Sequence, residues 1–206
     1  MEQLECWLDA INRTDLSDPG RRERALEEMR AADGAAVFDQ LRDRLASADP
    51  EARCEVITAL VLLDARRAVE PVAAMLSDPD ATVRWHACGC LHDFGDDRAV
   101  PPLCTVMRDD PDPQVRGTAA YALGGIGSPA AIPDLLAVLG SDSEYDELGH
   151  SPSSSAATAI DDILGTDETR IRVGDHLCRL AGHEPDLARL RSEAESLYER
   201  WSGGRA

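Results

Sequence analysis

The amino-acid sequence predicts an all-α fold, a right-handed α-solenoid built from stacked pairs of helices. Four stretches of the 206-residue chain resemble one another at spacings of 31 or 32 residues, which indicates a repeat architecture. The stretches place small and large apolar residues at helical spacing, with glycine or proline near the expected helix ends. Aromatic residues make up only 4% of the chain, so the core must consist of many small helix–helix contacts.

The repeated unit is marked by an Asp that precedes an Arg by four residues, and by a large apolar residue seven positions after the Arg. The Asp can accept hydrogen bonds from the free N–H groups at a helix start. The Arg can pair with that Asp or with the neighbouring unit, and the large apolar residue is predicted to fill the seam between helices. These positions hold Asp18, Asp49, Asp80 and Asp112; Arg22, Arg53, Arg84 and Arg116; and Met29, Leu60, Leu91 and Leu123.

Glycine and proline divide each unit into two helices. Gly95 and Gly127 are predicted to end the first helix, because glycine tolerates a positive φ. Pro71, Pro101 and Pro133 are predicted at the start of the second helix, where the missing N–H does least harm. One such helix pair cannot bury its apolar face alone, so the stack of units is predicted to be the folding unit.

The repeats predict a single domain over residues 1–206 with a helical cap at each end. The predicted units are 18–48, 49–79, 80–111, 112–142 and a degenerate fifth unit at 149–170. An acidic insertion, Ser141–His150, precedes the fifth unit, in which Ile160 takes the position of the large apolar residue. Helices over Glu2–Ile11 and within 171–206, the latter centred on Glu184–Trp201, are predicted to cap the array.

These residues resemble the short HEAT-like repeats of phycobilisome-lyase-type proteins and of many bacterial HEAT-repeat proteins. The similarity is strongest in DPQVRGTAAYALGGIGSPAAIPDL, which runs from Asp112 to Leu135, and it extends over about residues 18–165. It implies the solenoid fold. It also implies that the first helix of each unit, which begins with Val-Arg, faces the concave side of the array.

The exposed positions of those first helices are the candidate binding site. They include two aromatic residues and a histidine near carboxylates, a composition typical of hot spots for protein partners. The predicted binding residues are Trp85, His86, Tyr121, Glu55, Asp93, Thr118, Thr158 and Asp162. A structural interpretation stays open, in which Trp85 packs along a neighbouring helix and Tyr121 only shields the seam. The binding interpretation predicts a non-catalytic adaptor for a protein or peptide, expected to be basic.

The cluster His86, Cys88, Cys90 and His92 has the composition of a metal site but not its geometry. Residues two apart on a helix point about 200° from each other, so the four side chains cannot converge. By register, Cys88 and Cys90 are expected to be small buried residues, and Cys104 takes a core position. No metal site is predicted.

No catalytic residue and no cofactor are predicted, because the chain lacks the phosphate-binding, dinucleotide-binding, nucleophile and zinc motifs. Iron-dependent deoxyhypusine hydroxylases, which are HEAT-repeat enzymes, carry His-Glu directly after Val-Arg. The matching positions here read Cys54-Glu55, Trp85-His86, Gly117-Thr118 and Ser154-Ser155. None of them is His-Glu, so the hydroxylase activity is not predicted. The resemblance to phycobilin lyases leaves a tetrapyrrole-handling protein as an alternative, with Cys54 or His86 as the residues that would contact the chromophore.

Charge and the lack of targeting signals restrict the remaining classes. Lys and Arg number 21 against 39 Asp and Glu, a net charge of −18 that repels nucleic-acid phosphates. No apolar run reaches the ~20 residues of a membrane span, and the N-terminus lacks secretory features. Six cysteines without CxxC pairing are expected to be reduced, so a cytoplasmic protein is predicted. An acidic immunity or inhibitor protein that masks a basic toxin is the third interpretation.

Overall fold

The computed structural model of the protein describes residues 2–12, 18, 20–139, 151–165 and eight positions between 192 and 203. The described residues form nine α-helices and no strand. The helices are α1 (Glu2–Asn12), α2 (Arg21–Arg44), α3 (Pro50–Leu63), α4 (Ala65–Ala74), α5 (Ala81–His92), α6 (Val100–Asp109), α7 (Pro113–Ile126), α8 (Ile132–Val138) and α9 (Pro152–Leu164). The predicted acidic insertion Ser141–His150 lies outside the described residues, as does most of the predicted cap helix Glu184–Trp201.

The chain divides into two compact structural units, which are larger than the sequence repeats: the first unit is residues 1–90 and the second unit is residues 91–206. In the first unit, α1 packs against α2 and α3, and α3 packs against α4. The apolar stripe of α1 is buried, and it consists of Leu4, Trp7, Leu8 and Ile11. Polar contacts hold this helix in place, since Trp7 Nε1 donates to Glu28 Oε2 at 2.9 Å and Arg22 Nε donates to the Ile11 carbonyl at 2.9 Å.

Helix α2 contains both predicted helices of the first repeat, joined across a kink. Asp33 has non-helical backbone angles, φ −141° and ψ 89°, and its carboxylate accepts a hydrogen bond from Ala36 N at 3.1 Å. The prediction that Asp18 caps this repeat is wrong. Gly20 is the N-cap residue, and the Asp18 carboxylate forms an ion pair with Arg24 instead.

The other three repeat Asp residues hold the starts of their helices as predicted. Asp49, Asp80 and Asp112 each accept a hydrogen bond from the backbone N–H two residues further on, at 3.1, 2.8 and 2.8 Å. The donation from Thr82 N–H to Asp80 favours the charged carboxylate and lowers the pKa of Asp80. Local side-chain capping therefore starts α3, α5 and α7.

Three of the four repeat Arg residues turn toward the loop in front of a helix rather than toward the Asp four residues earlier. Arg53 binds the Asp78 carboxylate through two N···O contacts of 2.7 Å, and both side chains are buried. This contact raises the pKa of Arg53. Arg84 donates to the Asp78 carbonyl at 3.0 Å, and Arg116 donates in the same way to the Asp110 carbonyl at 2.9 Å.

Asp78 and Asp110 are structural residues that the repeat pattern did not single out. Each carboxylate accepts a hydrogen bond of 2.9 Å from the backbone N–H of the Asp two residues later, which is the helix-starting Asp80 or Asp112. The signal was present as Asp-Pro-Asp, which occurs at both turns. Two carboxylates thus build the turn before α5 and the turn before α7. In each turn, the first carboxylate binds the backbone N–H of the second Asp, and the second carboxylate caps the helix.

In the second unit, α7 is the central helix and packs against α6 and α9, while α8 packs against α9. A Cβ atom at Gly124 would lie 2.9 Å from Ala159 Cα, so the glycine allows α7 and α9 to approach closely. Gly127 ends α7 with a φ of 72°, as predicted. The predicted seam residues of both units are fully buried, namely Met29, Leu60, Leu91 and Leu123.

The predicted proline positions are correct in two of three cases. Pro101 and Pro133 are the second residues of α6 and α8. Pro71 lies inside α4, because Asp64 accepts a hydrogen bond from Arg67 N at 3.1 Å and starts that helix earlier. In the described part of the chain, no helix is long and apolar enough to cross a membrane.

Candidate functional site

Two large hydrophobic side chains are exposed among the described residues, and both lie on the first helix of a predicted repeat. Trp85 on α5 is 42% exposed and Tyr121 on α7 is 52% exposed. Tryptophan and tyrosine are enriched among the residues that dominate protein interfaces, so these two exposed side chains are the candidates for surfaces that meet a partner. They lie in different units and are described separately.

In the first unit, Trp85 lies beside a polar network that joins α5 to α3. His86 Nε2 is 3.0 Å from Thr58 Oγ1, and Thr58 Oγ1 is 3.2 Å from the Cys54 carbonyl. Burial lowers the pKa of His86, although a hydrogen bond that the imidazole donates to the Cys54 carbonyl opposes this effect, so the neutral form of the imidazole is favoured. His86 is therefore a half-buried connector between helices, and Trp85 is the exposed member of the predicted pair.

Glu55 lies on the rim of an open depression of about 460 Å³ in the first unit. Its polar lining includes Glu5, Asp43 and Arg44, and its apolar lining includes Leu8 and Val56. Glu5 forms an ion pair with Arg44, and this hydrogen bond lowers the pKa of Glu5. The sequence predicted Glu55 as a site residue but not the depression, which exists only because α1 docks against α2 and α3.

In the second unit, Tyr121 is stacked on His92. The ring centroids are 4.4 Å apart and the ring planes differ by 13°. His92 Nδ1 lies 2.7 Å from Asp93 Oδ1, and since a carboxylate only accepts, Nδ1 carries the proton. A Cβ atom at Gly125 would lie 2.3 Å from His92 Cδ2, so glycine at this position leaves the space that the imidazole occupies.

The remaining predicted residues of the second unit, apart from Asp93, lie on α7 and α9. Thr118 and Thr158 each donate their hydroxyl to the backbone carbonyl four residues earlier, at 2.8 and 3.2 Å. Asp162 is exposed, and its Oδ2 is 3.4 Å from the position of a Gly124 Cβ, so the carboxylate lies against α7. From the sequence, His92 was not predicted as a member of this surface. The signal in the sequence was the glycine pair at 124 and 125, because glycine leaves room for a side chain from another helix.

The His and Cys residues of α5 do not form a cluster. Among the described residues, no group of three or more His, Cys, Asp or Glu side chains is arranged to hold a metal ion. Cys88 is buried as expected, and so is Cys104 on α6. The expectation that Cys90 is buried is wrong, because its half-buried thiol turns to the surface side of α5, 3.7 Å from His86 Nε2.

Comparisons with solved structures give the same architecture. An engineered protein superposes with a TM-score of 0.53 at 17% identity over 98% of both chains. The complex of CpcE and CpcF of phycocyanin lyase from Nostoc sp. PCC7120 gives 0.53 at 24% identity over 91% of this chain and 74% of that one. A designed armadillo repeat protein gives 0.50 at 16% identity over 95% and 98%. At these identities the similarity establishes the fold alone.

Sequence comparison identifies the family. A comparison with curated proteins found no match. The family model of HEAT repeats matches three times, at residues 38–123, 69–148 and 100–197, which together cover 38–197. The predicted all-α solenoid is therefore confirmed, and the chain belongs to the HEAT-repeat family, whose fold is typical of protein-interaction scaffolds.

Proposed function

We propose that the protein is a non-catalytic scaffold that binds a basic protein or peptide through the exposed faces of its first repeat helices. The observation that carries this proposal is the exposure of Trp85 and Tyr121, each on a first helix. Each of the two side chains offers uncovered aromatic surface on which a partner can pack. His86 supports the Trp85 surface, and His92 supports the Tyr121 surface.

The energetic argument rests on the aromatic side chains. Tryptophan and tyrosine bury about 150–250 Å² when covered and are over-represented among the residues that dominate binding energy. With Trp85 42% exposed, covering its free surface would contribute about 1.5–2.5 kcal/mol at roughly 25 cal/mol per Å². Tyr121 offers a similar amount. Each of these side chains would account for a large share of the binding energy of a small interface.

The basic character of the partner is inferred from charge. The chain carries a net charge of −18, and the predicted site residues include carboxylates in both units: Glu55 in the first, and Asp93 and Asp162 in the second. Complementary charge accelerates association and disfavours acidic competitors, and both effects weaken with added salt. A basic partner should therefore be captured less well as the ionic strength rises.

A pull-down from the native host extract tests this proposal. The tagged full-length chain is compared with the double variant Trp85→Ala/Tyr121→Ala, and Glu70→Ala/Thr105→Ala on the second helices serves as a matched surface control. Proteins that bind through the proposed faces should be lost from the first variant only, and they should elute at moderate salt. Identical protein lists from wild type and Trp85→Ala/Tyr121→Ala, with both folded by circular dichroism, would overturn the proposal.

The tetrapyrrole alternative has less support from the residues that it needs. Burial raises the pKa of Cys54, so little thiolate is present at neutral pH to attack a chromophore. His86 is already hydrogen-bonded to Thr58. Titration of the protein with bilins and haems, monitored by absorbance, decides between the two functions, because a shift would favour chromophore handling.

A further inference from the structure

We infer that the Tyr121–His92 stack is a docking site for an arginine side chain of the partner, with the guanidinium stacked on the free face of Tyr121. This inference rests on the proposed function and names the chemistry that one of its surfaces recognises. All the residues involved belong to the second unit. They are Tyr121 on α7, His92 at the end of α5, Asp93 directly after it and Asp162 on α9.

The geometry leaves one face of the Tyr121 ring available. His92 covers the other face in a nearly parallel stack, with ring centroids 4.4 Å apart. Tyr121 is nevertheless 52% exposed, and the face opposite His92 is the one on which we place the guanidinium. Stacking on His92 holds the Tyr121 ring in place, so less side-chain conformational entropy is lost when a partner packs on it.

The surroundings of the ring are small and flat. On a helix, the neighbours of Tyr121 at a spacing of four are Gly117 and Gly125, and those at a spacing of three are Thr118 and Gly124. Gly117 is half-buried next to Ser155, whose Oγ is 3.5 Å from the position of a Gly117 Cβ. Glycine at three of these four positions leaves little side-chain bulk of α7 next to the ring.

Two carboxylates provide the charge. Asp93 is fixed next to the stack by its 2.7 Å contact with His92 Nδ1. Asp162 lies against α7 at Gly124, which is three residues after Tyr121 on the same helix, with its Oδ2 3.4 Å from the position of a Gly124 Cβ. Among described residues 93–139 and 151–165, the three arginines are engaged elsewhere: Arg98 pairs with Asp96, Arg108 pairs with Asp134, and Arg116 is buried.

This combination fits arginine better than lysine. The guanidinium is planar, so it stacks on an aromatic face while its edge N–H groups remain free to donate to carboxylates. An ammonium is a compact, strongly hydrated charge that gains less from stacking. His92 is a positioning residue in this arrangement, because it contacts the ring and not the guanidinium.

Fluorescence anisotropy with two labelled peptides tests the inference on the full chain. The probes are a Gly-Ser peptide with four arginines and its counterpart with four lysines, which have equal charge. Wild type should bind the arginine peptide roughly two- to fivefold more tightly, as expected for an exposed cation–π contact. Tyr121→Ala should abolish the preference and Tyr121→Phe should retain it. Equal affinity of wild type for the two peptides would overturn the inference.

Two glycine-to-alanine variants distinguish the effect of the Tyr121–His92 stack from a general effect on folding. Gly125→Ala would place its Cβ 2.3 Å from His92 Cδ2, so the imidazole must move away while both aromatic residues remain. Gly89→Ala on α5, where no atom lies within 4 Å of the added Cβ, is the matched control. The arginine preference should fall in Gly125→Ala and His92→Ala and persist in Gly89→Ala. An unchanged preference in both His92-displacing variants would refute the positioning role.

The two proposals fail in different ways. If Trp85→Ala/Tyr121→Ala loses its captured partner but wild type does not distinguish the arginine peptide from the lysine peptide, the scaffold function stands and the arginine site is wrong. If the arginine preference depends on Tyr121 but wild type and Trp85→Ala/Tyr121→Ala capture the same proteins, the arginine site stands and the proposed partner surface is wrong.

Discussion

The close approach of α7 and α9 makes a specific prediction for Gly124→Ala. The added Cβ would lie 2.9 Å from Ala159 Cα and 3.1 Å from Ala159 Cβ, whereas ordinary van der Waals contacts are 3.4–4 Å. Ala159 Cα is backbone, so no side-chain rotation relieves the contact. One of the two helices must shift, and the buried residues between them must repack.

The size of the effect follows from two opposing terms. Replacing glycine by alanine inside a helix stabilises it by about 1 kcal/mol. Overpacking a tight interior costs about 1–3 kcal/mol. Gly89→Ala isolates the first term, because its added Cβ has no atom within 4 Å. Gly124→Ala should therefore be less stable than Gly89→Ala by about 1–3 kcal/mol, the overpacking term alone.

Urea unfolding followed by far-ultraviolet circular dichroism measures this difference. We expect the free energy of unfolding to rise in Gly89→Ala and to fall or stay near wild type in Gly124→Ala. If the two variants gain stability equally, the packing of α7 directly on α9 at Ala159 is wrong, and with it the position of Asp162 next to Gly124. Gly124→Ser offers a second variant of similar size, which should behave like Gly124→Ala.

Three further outcomes follow from burial. Leu123→Ala should lower the free energy of unfolding by about 2–5 kcal/mol in urea titrations, because Leu123 is fully buried, and a loss near zero would contradict its seam position. Burial lowers the pKa of His86, so the unfolded chain binds more protons and stability should fall as the pH drops below about 6.5; His86→Gln should flatten this fall in unfolding curves collected across that range. Burial raises the pKa of Cys104 to about 12, so iodoacetamide at mildly alkaline pH should alkylate exposed Cys6 first, as read by peptide mass spectrometry, and equally fast labelling would show that the core position is wrong.

The sequence by itself determined the repeat and its local geometry. Asp49, Asp80 and Asp112 start helices as predicted, because a cap needs only a carboxylate and the N–H two residues further on. Gly127 ends α7 because a left-handed residue at a helix end favours glycine. The seam residue Leu123 is buried because the repeat places it on the packed face. All of these depend on neighbours within one or two helical turns.

Only the tertiary structure decided which distant groups meet. Arg53 could have paired with its own Asp49, but its guanidinium binds Asp78, which is 25 residues away, because the turn before α5 lies against α3. His92 stacks on Tyr121 because the end of α5 lies next to Gly125, and no spacing in the chain encodes that distance. Contacts within a helix follow from its period, whereas contacts between helices depend on how side chains of many residues pack together. The sequence therefore predicts which residues belong to the candidate surfaces. Which of those residues contact one another is decided only by the packing of the helices.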